Sequence, residues 1–327
     1  STPFIPGDYT HLGDRLVVND DVFDWHTLPR RILVVGTGVI GLELGQALAR
    51  LGVKTYLINR SKGLAGISDP AVLDSASSIF GDELDIRCDT ALDHAELSET
   101  GVKVRLLTRP DSGHTTVSEF EVDYVLMATG RRPCLDDLEL DNTSIAWNGS
   151  DPLPLDSDTL QLGSAPLFMA GDVTGLHPLL HEAADDGFIA GSNAAHYPDT
   201  TAGQRRAPMS VVFCDPQVAH VGQTHAQLTD ADDHVIGQAD FSGQGRSRII
   251  NRNQGLLRVY ASRDDGRFLG AEMVGPAMEH IAHLLAWAWQ NEMTIQGMLT
   301  MPFYHPVIEE GLRTALRDAA RQLQDKG

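Results

Sequence analysis

A glycine-rich turn near the start of the chain constrains its fold more than any other feature of the sequence. The motif Gly36-Thr37-Gly38-Val39-Ile40-Gly41 directly follows the short apolar segment Arg31–Val35. The periodic segment Leu42–Leu51 comes next, and a second apolar segment, Lys54–Ile58, follows it. This order predicts a strand, a glycine turn, a helix and a second strand, which is the opening unit of a dinucleotide-binding domain.

The residues of this motif have distinct tasks in such a unit. Gly36 allows the tight turn, Gly38 lets a pyrophosphate approach the backbone, and Gly41 lets the helix and strand pack closely. Val39 and Ile40 lie at the helix N-terminus, which offers amide donors and the positive end of the helix dipole to phosphates. We therefore predict that these five residues bind a dinucleotide. The alternative is a strand-to-helix turn without a ligand.

The residues after the second strand indicate which dinucleotide binds. An acidic residue there would bind the adenosine ribose hydroxyls of NAD, but this chain has Asn59-Arg60-Ser61-Lys62. Without the carboxylate, two cations with amide and hydroxyl donors suit a 2′-phosphate. The sequence therefore favours NADP(H) over NAD(H), with Asn59, Arg60 and Lys62 as binding residues. In the alternative reading, Arg60 and Lys62 are solvated surface charges, and binding could favour either cofactor.

The rest of the chain predicts further alternating strands and helices, and then a different module from about residue 208. There, short strands precede two helices, which indicates an α+β module with an antiparallel sheet. The further predicted strands are Arg15–Val18, Val102–Leu107, Val122–Met127, Leu167–Ala170, Ser210–Phe213, Leu256–Ala261 and Phe268–Val274. The further predicted helices are Glu182–His196, Met278–Glu292 and Pro306–Gln324.

Charge and cysteine content narrow the range of partners. The 45 acidic and 25 basic residues give a formal net charge of −20, which argues against nucleic acid or an anionic membrane as a partner. No run of about 18 apolar residues and no targeting segment is visible, so we expect a soluble, cytoplasmic protein. The three cysteines, Cys88, Cys134 and Cys214, form neither a CxxC nor a CxxxxC pair. We predict no metal site.

Four ordered segments together resemble the pyridine nucleotide–disulfide oxidoreductases, and dihydrolipoamide dehydrogenase most. They are Gly36–Leu51, Ala128–Pro133 (ATGRRP), Ala170–Val173 (AGDV) and Tyr304–Glu310 (YHPVIEE). The resemblance implies an α/β fold with a Rossmann-type nucleotide-binding domain, part of an FAD domain and a C-terminal α+β dimerisation domain. The expected ranges are 1–29 for a connector, 30–130 for the NAD(P) domain, 131–205 for the second part of the FAD domain and 208–327 for the dimerisation domain.

The resemblance also implies roles for residues outside the glycine turn. The segment ending at Gly130 would return the chain to the FAD domain, and Gly171-Asp172 would place a carboxylate at the FAD ribitol and phosphates. The backbone at Leu180 and His181 would pass the flavin ring. Glu43 would lie near the nicotinamide; the alternative is a plain solvent-facing helix residue.

The segment His305-Pro306-Val307-Ile308-Glu309-Glu310 carries the predicted proton chemistry. Pro306 suits the first position of a helix, and a carboxylate five residues after the histidine can hydrogen-bond one imidazole nitrogen. By resemblance, His305 is the acid–base residue and Glu310 its partner, with Glu309 an ordinary neighbour. The histidine would act in the active site of the other subunit of a homodimer. The alternative is that His305 only caps a helix.

By resemblance, the enzyme would pass electrons between NADP(H) or NAD(H), FAD, a redox disulfide and a small dithiol or disulfide substrate. The first FAD-binding half and the CxxxxC pair of such enzymes are missing from this sequence. We therefore expect either a fragment of a longer enzyme, inactive alone, or a stand-alone module. Two other functions remain open: a flavin-dependent pyridine nucleotide transhydrogenase or quinone reductase, and a non-catalytic NADP(H)-binding module.

Overall fold

The computed structural model describes residues 1–110, 113–145, 147, 152–176, 178–228 and 233–324. These residues form two compact units. One contains residues 1–4 and 130–206, and the larger one contains residues 5–129 and 207–327.

The chain contains fifteen strands and seven α-helices within the described residues. The strands are β1 Thr2–Pro3, β2 Leu16–Val17, β3 Arg31–Val35, β4 Lys54–Ile58, β5 Asp85–Arg87, β6 Thr90–Leu97, β7 Val102–Thr108, β8 Thr116–Val122, β9 Tyr124–Met127, β10 Arg131–Arg132, β11 Met209–Val212, β12 Gln217–Gly222, β13 His234–Asp240, β14 Leu256–Ser262 and β15 Phe268–Gly275. The helices are α1 Val39–Arg50, α2 Pro70–Gly81, α3 Leu180–His196, α4 Gly245–Ile249, α5 Met278–Gln290, α6 Ile295–Leu299 and α7 Glu310–Gln324.

A five-stranded parallel sheet, in the order β2-β9-β3-β4-β5, forms the first half of the larger unit. Its central strands β3, β4 and β9 are apolar on both faces because both faces are covered. Ile32 and Val34 pack in one core with α1 and α2, while Leu33 packs in another with the antiparallel meander β6-β7-β8. This arrangement places the glycine turn at the carboxyl end of β3, where parallel α/β sheets bind their ligands.

An antiparallel sheet, in the order β11-β12-β15-β14-β13, forms the second half of the larger unit. One face packs against α5 and α7 through residues such as Val259, Met273 and Leu285. The other face contributes Val218 and Val274 to the same core as α1 and α2. The two sheets of this unit therefore share a hydrophobic core.

A buried ion pair connects the start of α2 to β14 of the antiparallel sheet. Asp69, which is fully buried, caps α2 by accepting from the amides of Ala71 and Val72 at 2.9 and 3.3 Å. The same carboxylate accepts from Arg258 of β14 at 2.7 Å and from the hydroxyl of Tyr260 at 2.9 Å. Burial would raise the pKa of Asp69, but the bonds from Arg258 and Tyr260 outweigh it and hold that pKa below its usual range.

Replacing Arg258 with alanine is expected to lower the free energy of unfolding by about 3–5 kcal/mol, because Asp69 would lose its buried counter-ion. Urea unfolding followed by circular dichroism measures the loss. Since the folded-state pKa of Asp69 is depressed, the pair stabilises above about pH 4, and its contribution is lost as the pH falls further. The difference in the free energy of unfolding between the parent protein and Arg258→Ala should therefore become smaller in acid. The control is Arg267→Ala, which removes an exposed ion pair in which Nε of Arg267 lies 3.9 Å from Oδ2 of Asp265. It should lower the free energy of unfolding by less than about 1 kcal/mol.

The smaller unit contains the two-stranded pair β1-β10 and helix α3. Two small apolar clusters hold it, one around Leu162 and Met169 and one around Leu160 and Ile189. The segment before α3 carries the Gly171-Asp172 turn.

The α/β fold class predicted from the sequence is confirmed, and three of its details are wrong. Leu167–Ala170 forms no strand among the described residues; Phe168 makes only an isolated bridge with Gln161. The predicted strand Val122–Met127 is divided, because β8 ends at Val122 and β9 begins at Tyr124. The last helix begins at Glu310, so Pro306 is not its first residue.

Candidate functional site

The glycine turn between β3 and α1 has the backbone geometry that its sequence predicts. Gly36 has φ of +113°, and a Cβ there would lie 2.3 Å from the carbonyl oxygen of Ala128. A Cβ on Gly41 would lie 2.0 Å from the carbonyl oxygen of Gly36. Both positions therefore require glycine for the turn itself, whatever binds to it.

Gly38 differs from the other two glycines, because nothing lies within 4 Å of the position a Cβ would occupy. It is the N-cap of α1, with φ of −70°, and as a glycine it has no side chain that could cap the helix amides. The first amides of a helix have no partner inside the helix, so those of Val39 and Ile40 lie beside this open space. Open space, amide donors and the positive end of the α1 dipole fit a dinucleotide pyrophosphate.

The loop after β4 lies against this turn. The hydroxyl of Thr37 donates to the carbonyl of Gly63 at 2.6 Å, and the side-chain amide of Asn59 donates to the same carbonyl at 2.8 Å. Asn59 thus holds the loop, which the sequence did not indicate. Arg60 and Lys62 lie on its exposed side.

Glu43, on α1, is bonded to the C-terminal half of the unit. Its Oε1 accepts from the backbone amide of Phe213 at 2.7 Å. Gln46 adds a second link, because its side chain accepts from the amide of Asp215 and donates to the carbonyl of the same residue, each at 2.8 Å. The half-buried Glu43 carboxylate therefore holds the loop after β11, and the simple solvent-facing alternative does not describe it.

In the smaller unit, Gly171 has φ of +74° and begins the turn that carries Asp172. The Asp172 carboxylate accepts from the hydroxyl of Ser1. The sequence missed Asp186, a buried acid on α3 whose Oδ2 accepts from the Gly171 amide at 3.0 Å and whose Oδ1 accepts from Arg205 at 2.7 Å. One sequence signal could have indicated this residue: Asp186 follows Glu182 by four positions in the predicted helix, so both acids lie on the same helix face.

Three other predicted residues of the smaller unit are placed as follows. Gly130 has φ of +105°, and its carbonyl accepts from the Phe4 amide at 2.9 Å. Leu180 begins α3 and is 89% exposed, and the His181 side chain next to it is also exposed.

The His305 and Glu310 side chains meet in the larger unit. Nδ1 of His305 lies 2.9 Å from Oε2 and 3.1 Å from Oε1 of Glu310. The hydrogen bond from His305 lowers the pKa of Glu310. With a proton on Nδ1 bonded to this carboxylate, Nε2 of the largely exposed imidazole is left to accept a proton.

The backbone around this pair differs from the sequence prediction for a physical reason. The Val307 amide donates to Oε2 of Glu310 at 3.3 Å. In a helix that started at Pro306, this amide would instead point along the helix axis, so the side-chain bond competes with the helix. Residues 305–309 form turns, and α7 starts at Glu310 itself. His305 therefore does not cap a helix that begins at Pro306.

The cysteines are all free thiols in different environments. Burial raises the pKa of Cys214 to about 12 and also raises the pKa of Cys88, while Cys134 is exposed. A high pKa keeps the thiol protonated and unreactive. The described part of the chain contains no group of three His, Cys, Asp or Glu residues that could hold a metal ion, and no helix there could cross a membrane.

Two family models match the chain. Residues 1–187 match the pyridine nucleotide-disulphide oxidoreductase model, and residues 208–316 match the dimerisation domain of the same family.

Several relatives are similar over nearly the whole chain. Dihydrolipoyl dehydrogenase 2 of Haloarcula marismortui is 28% identical over 317 residues, which are 95% of this chain and 65% of that protein. The Geobacillus stearothermophilus dihydrolipoyl dehydrogenase is 28% identical, over 91% of this chain and 62% of its own length. A soluble pyridine nucleotide transhydrogenase of Marinomonas is 27% identical, over 96% and 67%. The chain thus spans about 65% of the length of the first of these relatives.

Solved structures show the same fold. The HOCl-induced flavoprotein disulfide reductase RclA of Escherichia coli matches with a TM-score of 0.81 at 21% identity, over 97% of this chain and 71% of that one. LpdA of Mycobacterium tuberculosis matches with a TM-score of 0.81 at 22% identity, over 97% and 67%. At these identities the likeness concerns the fold alone.

Proposed function

The chain belongs to the pyridine nucleotide-disulphide oxidoreductase family, and from this premise we propose that it serves a dihydrolipoamide dehydrogenase-like enzyme. Members of the family work with FAD and a nicotinamide nucleotide. In the proposed reaction, electrons pass between NAD(P)H, FAD, a redox disulfide and a small dithiol or disulfide substrate. The bound cofactors supply the hydride and electron transfer.

The observation that carries this proposal is the bond between His305 and Glu310. A histidine whose one nitrogen is held by a carboxylate has a fixed tautomer and orientation, which are the properties of an acid–base residue. Nε2 of His305 would take a proton from the dithiol and return it. A reaction that only exchanged hydride between dinucleotides would have little use for such a pair.

The remaining site residues would bind and orient the cofactors. Gly36, Gly38 and Gly41 with the amides of Val39 and Ile40 would hold the nicotinamide nucleotide pyrophosphate. Glu43 would lie near the nicotinamide, where its bond to the Phe213 amide fixes its carboxylate. In the smaller unit, the turn at Gly171 and Asp172, with Gly130 and the backbone at Leu180 and His181, would contact FAD.

We expect Arg60 and Lys62 to select NADP(H) through the 2′-phosphate. Arg60→Ala is expected to weaken NADPH binding by about tenfold or more and to leave NADH binding within about twofold, because a charge-assisted bond contributes roughly 1.5–3 kcal/mol. Calorimetric titration with each nucleotide measures both constants. Arg321→Ala, which removes an exposed cation from α7, is the matched control. Equal losses for the two nucleotides, or none, would contradict the assignment.

The proposed assembly is a homodimer formed through the C-terminal domain, in the cytoplasm and without a membrane or nucleic-acid partner. The match of residues 208–316 to a dimerisation domain supports it. The net charge of −20 disfavours polyanionic partners.

A pyridine nucleotide transhydrogenase is the second candidate, and the similarity to the Marinomonas protein favours it. One experiment compares the two functions. A flavin-loaded enzyme that contains this chain is assayed for NAD(P)H-dependent lipoamide reduction and for hydride exchange between NADPH and a thionicotinamide NAD analogue. Lipoamide turnover supports the main proposal. Hydride exchange without lipoamide turnover would replace it with the second.

A further inference from the structure

Glu272, in the middle of β15, is a buried carboxylate far from the glycine turn in sequence. It is 1% exposed, and both of its oxygens are occupied. Oε2 accepts from the amides of Ser68 and Asp69 at 2.7 and 2.9 Å, and Oε1 accepts from the Ser68 hydroxyl and the His225 amide. Four donors from two separate segments therefore converge on one side chain.

Three of these donors belong to the segment that ends the loop after β4. Ser68 and Asp69 immediately precede α2, so Glu272 places a negative charge at the N-terminus of that twelve-residue helix, beside the capping Asp69. Arg258 and His220 lie opposite Glu272 on the two neighbouring strands. The exit of the loop is thus attached to the C-terminal sheet.

The other end of the same loop is attached to the glycine turn. The Ala65 amide donates to the carbonyl of Thr37 at 2.8 Å, in addition to the bonds at Gly63. Leu64 and Ile67 are buried in the shared core. Arg60 and Lys62 therefore extend from a loop whose course is set by Thr37 at one point and by Glu272 at the other.

We propose that Glu272 is a positioning residue for cofactor selection: it holds the exit of the 59–69 loop, and so sets where Arg60 and Lys62 meet the ribose phosphate. This inference rests on the proposed NADP(H) preference. It assigns part of the cofactor choice to the C-terminal domain, through a residue that is 204 positions along the chain from Ser68.

The test compares two fragments of the cofactor, 2′,5′-ADP and 5′-AMP, which differ by the 2′-phosphate alone. Glu272→Gln keeps the shape but replaces one acceptor oxygen with a donor, so at least one of the four donors loses its partner. The preference for 2′,5′-ADP over 5′-AMP, from calorimetric titration of the full chain, is expected to fall about three- to tenfold. Hydrogen exchange of amides 61–68 is expected to become faster.

Glu279→Gln is the matched control, because Glu279 lies in the same domain and bonds the Gln217 side chain instead. An unchanged preference or unchanged exchange in folded Glu272→Gln overturns the inference. If the parent protein itself shows no preference for 2′,5′-ADP over 5′-AMP, the proposed NADP(H) preference is contradicted. Hydrogen exchange of amides 61–68 then tests separately whether Glu272 holds the loop. If Glu272→Gln does not fold, Ser68→Ala, which removes one donor, is expected to shift both readouts in the same direction, and its failure to do so overturns the inference.

Discussion

Replacing His305 with glutamine is expected to slow oxidation of a dithiol substrate by roughly 10²–10⁴-fold, in a flavin-loaded enzyme that contains this chain. The Glu310 carboxylate bonds Nδ1 of His305 and leaves Nε2 as the proton acceptor. A glutamine side chain can still bond Glu310, but it cannot take up a proton. The rate of NAD(P)⁺-dependent dihydrolipoamide oxidation at saturating substrate measures the loss.

Two comparisons separate the loss of a base from general damage. The reduction of flavin by NAD(P)H, followed by stopped flow, should keep its rate in the His305 variant, because that half-reaction involves no dithiol. Glu309→Gln changes the neighbouring acid and should stay within about twofold of the parent enzyme. Dithiol turnover that survives in the His305 variant would remove this residue from the chemistry.

Alanine at Gly38 is expected to weaken dinucleotide binding with little effect on stability, whereas alanine at Gly36 is expected to destabilise the fold. Gly38→Ala meets no atom within 4 Å and an allowed φ of −70°, so stability should stay within about 1 kcal/mol. Its methyl group occupies the space for the pyrophosphate, and NADPH binding should weaken by about 100-fold. Gly36→Ala places its Cβ 2.3 Å from the Ala128 carbonyl at φ of +113°, which should cost roughly 3–5 kcal/mol.

Urea unfolding and calorimetric titration, run on both variants, test this separation. Gly52→Ala is a useful third protein, because it has φ of +91° but open space around it, and it lies at the far end of α1. It should lose stability and keep its NADPH affinity in the folded state. A Gly38 variant that binds NADPH normally would show that the turn holds no pyrophosphate.

The nucleotide motif could be predicted from the sequence because each local signal agrees there. Short apolar strands, glycines at fixed spacing and a periodic helix all indicate one structure, and Arg31–Val35 and Lys54–Ile58 are confirmed as strands with the same bounds. Three of the five strands of the C-terminal sheet, β11, β14 and β15, were also predicted to within one residue at either end, since their β-branched and aromatic residues are flanked by turn residues. The other two, β12 and β13, were not predicted.

The errors arose where a local pattern has two physical solutions. Proline followed by acids suits a helix start, but at Pro306 the Glu310 carboxylate binds the Val307 amide and the helix begins later. The apolar Leu167–Ala170 lacks a partner strand among the described residues, and its residues contribute to the two small clusters instead. Periodicity alone does not distinguish these outcomes.

The polar contacts between distant segments could not be predicted from one sequence. Glu43 bonds Phe213, and Glu272 bonds Ser68, across separations of 170 and 204 residues. Taken alone, each acid resembles an ordinary surface residue. Only the folded chain shows that backbone amides of distant segments donate to these carboxylates.

The joint between α2 and the C-terminal sheet limits how this protein can be rearranged. A nucleotide domain cut out at about residues 30–130 would retain Asp69 but lose Arg258 and Tyr260, and the apolar side chains that face Val218 and Val274 would meet water. Such an excised or transplanted domain should aggregate unless the recipient supplies an equivalent cation and apolar surface. To transfer the cofactor specificity to another protein, both halves of the larger unit must therefore be exchanged together.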